Sequence, residues 1–161
     1  MIFITLGSQK FQLNRLLRWM DEMLEDKLVG DDVFAQTGYS DYQPLNFPFC
    51  HFLNRNDFLE KMNKADLIIS HAGTGSIVTA LKQKKKVIVV PRDEKYGEHV
   101  DNHQYEITKN FTSLNLLCSC TNKEELIKQI NLIKDINFND FKSNNDMYIN
   151  KIKSFIENEV I

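Results

Sequence analysis

Six short apolar runs, each separated from the next by a longer stretch, constrain this chain more than any other feature. The runs are Ile2–Leu6, Val33–Gln36, Phe49–Leu53, Leu67–Ser70, Val87–Val90 and Leu114–Ser119. They are brief, rich in Ile, Val, Leu and Phe, and most are bounded by Gly, Pro or Asn, which is the pattern of buried strands. Several of the intervening stretches carry apolar residues at helical spacing. Leu13, Leu16, Leu17, Met20, Met23 and Leu24 predict a helix over 12–24. Further helices are expected over 56–63 with Asn54 or Asn56 as cap, from 76 to about 83, over 100–110 and over 123–133. A tail helix is expected over about 144–159, with Ile152, Phe155 and Ile156 on one stripe.

Strand–helix alternation over six units implies an α/β fold, a doubly wound parallel sheet with helices on both faces. At 161 residues, with no internal repeat or linker, the chain reads as one domain over 1–161. Composition removes other classes. Apolar residues make up 42% and charged residues 26%, so a disordered chain is excluded. Twenty Lys and Arg against 22 Asp and Glu give a net charge of −2, which supplies no global drive toward nucleic acid. No apolar run approaches the ~20 residues of a membrane span, and Met1–Gly7 has no basic leader, so a cytoplasmic protein is expected. Cys50, Cys118 and Cys120 form no CxxC pair and are expected to be reduced thiols, the last two facing one side of a strand.

Right-handed crossovers place the carboxyl ends of all parallel strands on one edge. Gly7, Gly38, Gly73, Gly75 and Gly97 all follow an expected strand, and only Gly30 lies elsewhere. Turns at the opposite edge would need glycine equally. The asymmetry therefore points to a ligand site at the carboxyl edge, where open α/β sheets bind ligands.

The sharpest local pattern is Ser70-His-Ala-Gly-Thr-Gly-Ser76, between a strand and a helix. Gly73 and Gly75 let backbone amides approach an anion, Thr74 and Ser76 add hydroxyls, and the helix start carries about half a positive charge. This suits a phosphate or diphosphate; a structural tight turn is the plain alternative. Neither a P-loop lysine nor GxGxxG spacing is present. A second cluster, Pro91-Arg-Asp-Glu-Lys-Tyr-Gly-Glu-His-Val-Asp-Asn-His-Gln104, offers donors and acceptors suited to a sugar, or else a solvated loop capped by Asp101 or Asn102. The spacing His99-x3-His103, with His71 or Glu98, also fits a zinc site. No DxD-like carboxylate pair is present in either loop to hold a metal on a diphosphate, so no metal or other cofactor is expected there. The basic run Lys82-Gln-Lys-Lys-Lys86 reads as a solvated turn at a helix end, with membrane-surface contact as the alternative. No GxSxG elbow supports a serine nucleophile.

Taken together, Phe3–Ser8, Ala65–Ile77, Val87–Arg92 and Gly97–Gln104 resemble the carboxyl-terminal, donor-binding domain of family 28 glycosyltransferases, which have the two-domain GT-B fold. The resemblance covers nearly the whole chain and implies a single Rossmann-like GT-B half. Stand-alone halves are most similar: the donor-binding subunit of the eukaryotic dolichol-linked N-acetylglucosaminyltransferase, and bacterial capsule or exopolysaccharide subunits of the galactosyltransferase-enhancer type. The stretch 91–104 is most similar to the bacterial group.

The resemblance implies a UDP-sugar donor and a set of residues that meet it. Gly73, Thr74, Gly75 and Ser76 would meet the diphosphate, with Gly7 and Ser8 close by. Phe52 and Leu53 would present backbone to uracil, and His103 with Gln104 would meet the sugar hydroxyls. His71 and Glu98 complete the expected set. Full-length bacterial relatives place a glutamate on the ribose, where this chain has Thr79. The resemblance also implies a membrane-associated, acceptor-binding partner subunit that supplies the catalytic base and a lipid-linked glycan acceptor. It would hold this subunit at the inner face of the membrane. A non-catalytic accessory subunit enhancing a partner galactosyltransferase is the alternative.

Overall fold

The computed structural model describes residues 1–30 and 32–142, so the expected tail helix lies outside the described residues. Six parallel strands form one sheet: β1 (Ile2–Thr5), β2 (Val33–Gln36), β3 (Phe49–Cys50), β4 (Leu67–Ser70), β5 (Lys86–Val89) and β6 (Cys118–Ser119). Their order is β3-β2-β1-β4-β5-β6. The order reverses between β1 and β4, which pair in register from Ile2↔Leu67 to Thr5↔Ser70. A doubly wound sheet opens its ligand crevice at that switch point.

Five helices connect the strands: α1 (Asn14–Glu25), α2 (Arg55–Lys64), α3 (Thr74–Lys82), α4 (His103–Ser113) and α5 (Lys123–Leu132). Strand residues alternate between two cores, as the period of two requires. Ile2, Ile4, Ile69, Ile88 and Val90 pack with Leu16, Leu17 and Met20 of α1 and Leu126 and Ile130 of α5. Phe3, Ile68, Val87 and Val89 pack on the other face with Met62 of α2 and Ile77, Ala80 and Leu81 of α3. Both faces of the central strands are therefore covered, while the edge strands β3 and β6 are half-buried.

The expectations over 49–53 and 114–119 shrink to two residues each. These are the edge strands, where only Ala35↔Phe49, Gln36↔Cys50, Ile88↔Cys118 and Val89↔Ser119 pair. The helix expected from Val100 starts at His103 instead. The Asp101 carboxylate accepts from His103 N–H at 3.1 Å and Asn102 Oδ1 accepts from Glu94 N–H at 3.1 Å, which holds 100–102 in the loop.

The solvated turn expected at Lys82–Lys86 is present, with Lys82 and Lys84 exposed, but it is corrected for the other two lysines. Lys85 Nζ donates to Asn63 O at 2.6 Å, in the last turn of α2. Lys86 Nζ donates to the carbonyls of Ile133, Lys134 and Ile136, just beyond α5. Two of the four lysines therefore close helix C-termini, where free carbonyls attract cations.

All three cysteines are free, with Cys50 and Cys118 half-buried and Cys120 buried. Burial, then the Glu125 charge, pushes the Cys120 thiol up to about 12, so it stays protonated. No helix among the described residues is long and apolar enough to cross a membrane.

Candidate functional site

Two adjoining cavities open at the carboxyl edge beside the switch point. One, of about 370 Å³, is walled by Gly7 to Gln9, His71 to Ser76, and His103, Gln104 and Ile107. The other, of about 400 Å³, shares Gly7, Ser8, Gly75 and Ser76 and continues to Gln36, Leu53, Arg55 and Thr79. The chain thus brings together Gly7, Ser8, Leu53, His71, Gly73, Thr74, Gly75, Ser76, Thr79, His103 and Gln104 of the expected set.

The start of α3 forms the floor between them. Its N-cap is Gly73, and no side chain accepts from its first turn. The other helices are closed by side chains. Gln12 Oε1 takes Asn14 N–H of α1, and Asn54 Oδ1 takes Asp57 N–H of α2. Asp101 takes His103 N–H of α4, and Asn122 Oδ1 takes Glu125 N–H of α5. Among the described helices α3 alone leaves its amides free of any side chain, so its positive end faces the cavity.

His71 shapes the turn that leads into α3. It is 5% exposed. Its Nδ1 lies 3.1 Å from the carbonyl of Thr5, which accepts, so Nδ1 carries the proton and Nε2 offers a lone pair. Gly7 and Gly73 flank the ring. A Cβ on Gly7, which sits at φ +72°, would fall 2.6 Å from Cε1, and one on Gly73 would lie closer still to Nε2. Both glycines are needed for the imidazole to fit. Burial, followed by the charge of Arg92, lowers the His71 pKa to about 4, so the ring is neutral at pH 7. The positive potential that an anion meets comes from backbone amides, not from this side chain.

Gly75 differs from its neighbours. A Cβ there would meet nothing within 4 Å, because the space above it is the cavity. Thr79 Oγ1 donates to Gly75 O at 2.7 Å, which leaves it only lone pairs to offer a ligand. The Gln104 side chain accepts from Arg92 N–H at 3.1 Å through Oε1, so its amide nitrogen is the end available as donor. His103 stands at the first position of α4 and is half-exposed.

Two expected residues lie apart from this set. Phe52 is 49% exposed and packs edge-on to Tyr39, 5.2 Å between centroids, without walling either cavity. Glu98 is 1% exposed, and its expected place at the ligand is corrected. Its Oε1 accepts from Arg15 Nε at 2.7 Å and its Oε2 from Asp93 N–H at 3.0 Å. A carboxylate buried in that pair is held inside the protein.

Sequence reading missed Gln36 and Arg55. Gln36 bridges the mouth: its Nε2 reaches Gly7 O at 3.5 Å and its Oε1 accepts from Leu53 N–H at 3.3 Å. Arg55, the first residue of α2, is exposed and lines the second cavity. Neither sits in a recognisable motif; the signal for Gln36 is only a polar residue ending an apolar run. Arg92 was also unassigned. It is fully buried, and its guanidinium donates to the carbonyls of Leu6, Phe11 and Gln12. Burial lowers its pKa to about 10, against the raising effect of Glu98, so it stays charged at pH 7. It ties the loop after β5 to the loop after β1, which carries Gly7 and Ser8.

Residues 1–158 match the glycosyltransferase family 28 C-terminal domain. The chain belongs to this family. A curated relative, the UDP-N-acetylglucosamine transferase subunit ALG13 of Candida albicans, is 37% identical over 115 residues. That match covers 67% of this chain but only 35% of the relative, so the chain spans about a third of its length. The NMR solution structure of ALG13 superposes with a TM-score of 0.56 at 21% identity, covering 88% of this chain and 89% of that one. Acinetobacter baumannii MurG superposes with a TM-score of 0.58 at 20% identity, covering 82% of this chain and 40% of MurG. At these identities the superpositions establish the fold: the chain is one Rossmann-like half of a GT-B glycosyltransferase.

Proposed function

We propose that this family 28 domain binds the nucleotide-sugar donor, a UDP-sugar, at the carboxyl edge, as one subunit of a two-subunit glycosyltransferase. The observation that carries this reading is the uncapped start of α3 at the switch point, opening into the cavities that Gly7 and Ser8 share. A diphosphate there receives backbone N–H groups and the positive end of the helix. As the glycosidic bond to the diphosphate breaks, the same amides stabilise the charge that develops on the leaving oxygen. The Gln104 amide and His103 suit the sugar hydroxyls, and Gln36 and Leu53 border the space assigned to the base.

No carboxylate walls either cavity among the described residues, so the diphosphate is held without a divalent metal. The neutral His71 ring beside the α3 turn is buried, with Gly7 and Gly73 packed against it, so the base that deprotonates the acceptor hydroxyl is assigned to a membrane-associated, acceptor-binding partner. That partner presents a lipid-linked glycan and keeps this subunit at the inner face of the membrane. The resemblance of 91–104 to bacterial subunits supports capsule or exopolysaccharide synthesis as the process, whereas the name of the Candida albicans relative supports N-acetylglucosamine as the sugar.

Titration calorimetry of the isolated protein with UDP, with magnesium and with a chelator, tests the donor site. Weak binding that survives the chelator is the expected result. Absence of heat at millimolar UDP would overturn donor binding by the free subunit. It would favour a second reading, an accessory subunit that enhances its partner, which Thr79 in place of a ribose-binding carboxylate supports.

A further inference from the structure

The loop that enters α4 gathers three metal-competent side chains at one point. One ligand atom from each of His99, Asp101 and His103 lies within 4.8 Å of the others. His99 Nδ1 is 3.1 Å from Asp101 Oδ1, and His103 Nδ1 contacts the same oxygen. We propose that His99, Asp101 and His103 bind a single transition-metal cation of the Zn²⁺ class at the rim of the donor cavity.

The donor set selects the metal. Two imidazoles and one carboxylate suit Zn²⁺, Co²⁺ or Ni²⁺, whereas Mg²⁺ and Ca²⁺ take oxygen ligands. Bonds of about 2.0–2.1 Å in a tetrahedral site set neighbouring ligand atoms roughly 3.3 Å apart. The 3.1 Å between His99 Nδ1 and Asp101 Oδ1 is near that spacing.

The ligands are held before any metal arrives. The His99 side chain is 7% exposed, and its ring packs against Phe11, tilted by 41° with centroids 4.5 Å apart. It meets the His103 ring in a T-shaped contact, 4.9 Å between centroids. Asp101 Oδ1 is fixed by the backbone N–H of His103 at 3.1 Å. Asp101 and His103 remain 55% and 50% exposed, which leaves the outer coordination positions open. The third ligand is Asp101, and not His71 or Glu98, the two that spacing offered: neither belongs to the cluster, and Arg15 holds Glu98. The position of His103 on the cavity wall makes the bound cation a neighbour of the sugar, a consequence that rests on the donor reading.

The test needs no nucleotide, so a failure of the donor reading leaves it intact. Tag-free, chelator-treated protein is titrated with Co²⁺ and followed by visible absorption, then back-titrated with Zn²⁺. One equivalent of Co²⁺ in a tetrahedral-type spectrum, displaced by Zn²⁺, is expected. His99→Ala and Asp101→Asn should each weaken it at least tenfold, and the distant His51→Ala should leave it unchanged. Melting curves in chelator establish that each variant is folded, with His99→Gln replacing any that is not. No stoichiometric binding, or binding unaltered by the His99 and Asp101 substitutions, would overturn the proposal.

Discussion

The starts of α2 and α3 follow strands on opposite sides of the switch point, yet they are built differently. At α2 the Asn54 side chain accepts from Asp57 N–H at 3.0 Å, and Asp57 itself adds a negative charge to the first turn. At α3 a glycine occupies the capping position, with no side-chain acceptor and no acidic residue in the first turn. The first arrangement satisfies the helix within the protein. The second leaves the same groups for a ligand. A cap that would add stability is missing where its acceptor would compete with an anion, and the contrast can be broken experimentally from either side.

The largest effect expected is on pH dependence beneath α3. Burial and the Arg92 charge hold His71 at about 4, against about 6.5 in an unfolded chain. Between those values the unfolded state binds a proton that the folded state does not. Stability from this group is therefore complete above about pH 6.5 and falls by about 3 kcal/mol as the pH drops to 4. Urea midpoints of the wild type and His71→Gln across this range measure it; equal pH slopes in both would refute it. Next comes Gly73→Ala, whose methyl would overlap the His71 ring. Overpacking of this kind costs about 2 kcal/mol, read as a lowered urea midpoint together with weaker UDP binding.

Gly75→Val should separate the two properties. Its side chain meets only open cavity, so the melting temperature should hold while UDP affinity falls about tenfold, or about 1.4 kcal/mol. A variant that melts much lower and still binds UDP would make this glycine structural. The smallest effect belongs to the capped helices. Asn54→Ala and Asn122→Ala should each cost about 1 kcal/mol in stability with UDP binding unchanged. Calorimetry that found either cap coupled to nucleotide would erase the contrast with α3.

The parts of this molecule legible in its sequence are those set by local pattern. The strands Val33–Gln36 and Leu67–Ser70 have the bounds expected of them, since apolar runs flanked by turns leave little choice. The glycine turn reads correctly because a missing side chain is itself the signal. What could not be read depends on partners far along the chain. Glu98 looks like a site carboxylate until Arg15, 83 residues away, is placed beside it. Edge strands β3 and β6 look longer in sequence because apolar residues continue after the last paired residue of β3 and precede the first paired residue of β6. The start of α4 depends on a carboxylate at Asp101 that spacing alone leaves as one of two candidates.

Arg92 makes two loops one unit of exchange. Its guanidinium reaches the carbonyls of Leu6, Phe11 and Gln12 from the far side of the sheet's switch point. A chimera that imported the segment 91–104 from a relative lacking this arginine would strand those carbonyls in the interior. Lysine in its place would bring a single nitrogen to three acceptors that a planar fork now serves. Specificity in this half of the molecule is thus grafted by transplanting the β1 and β5 loops as a matched pair, with neither donated alone.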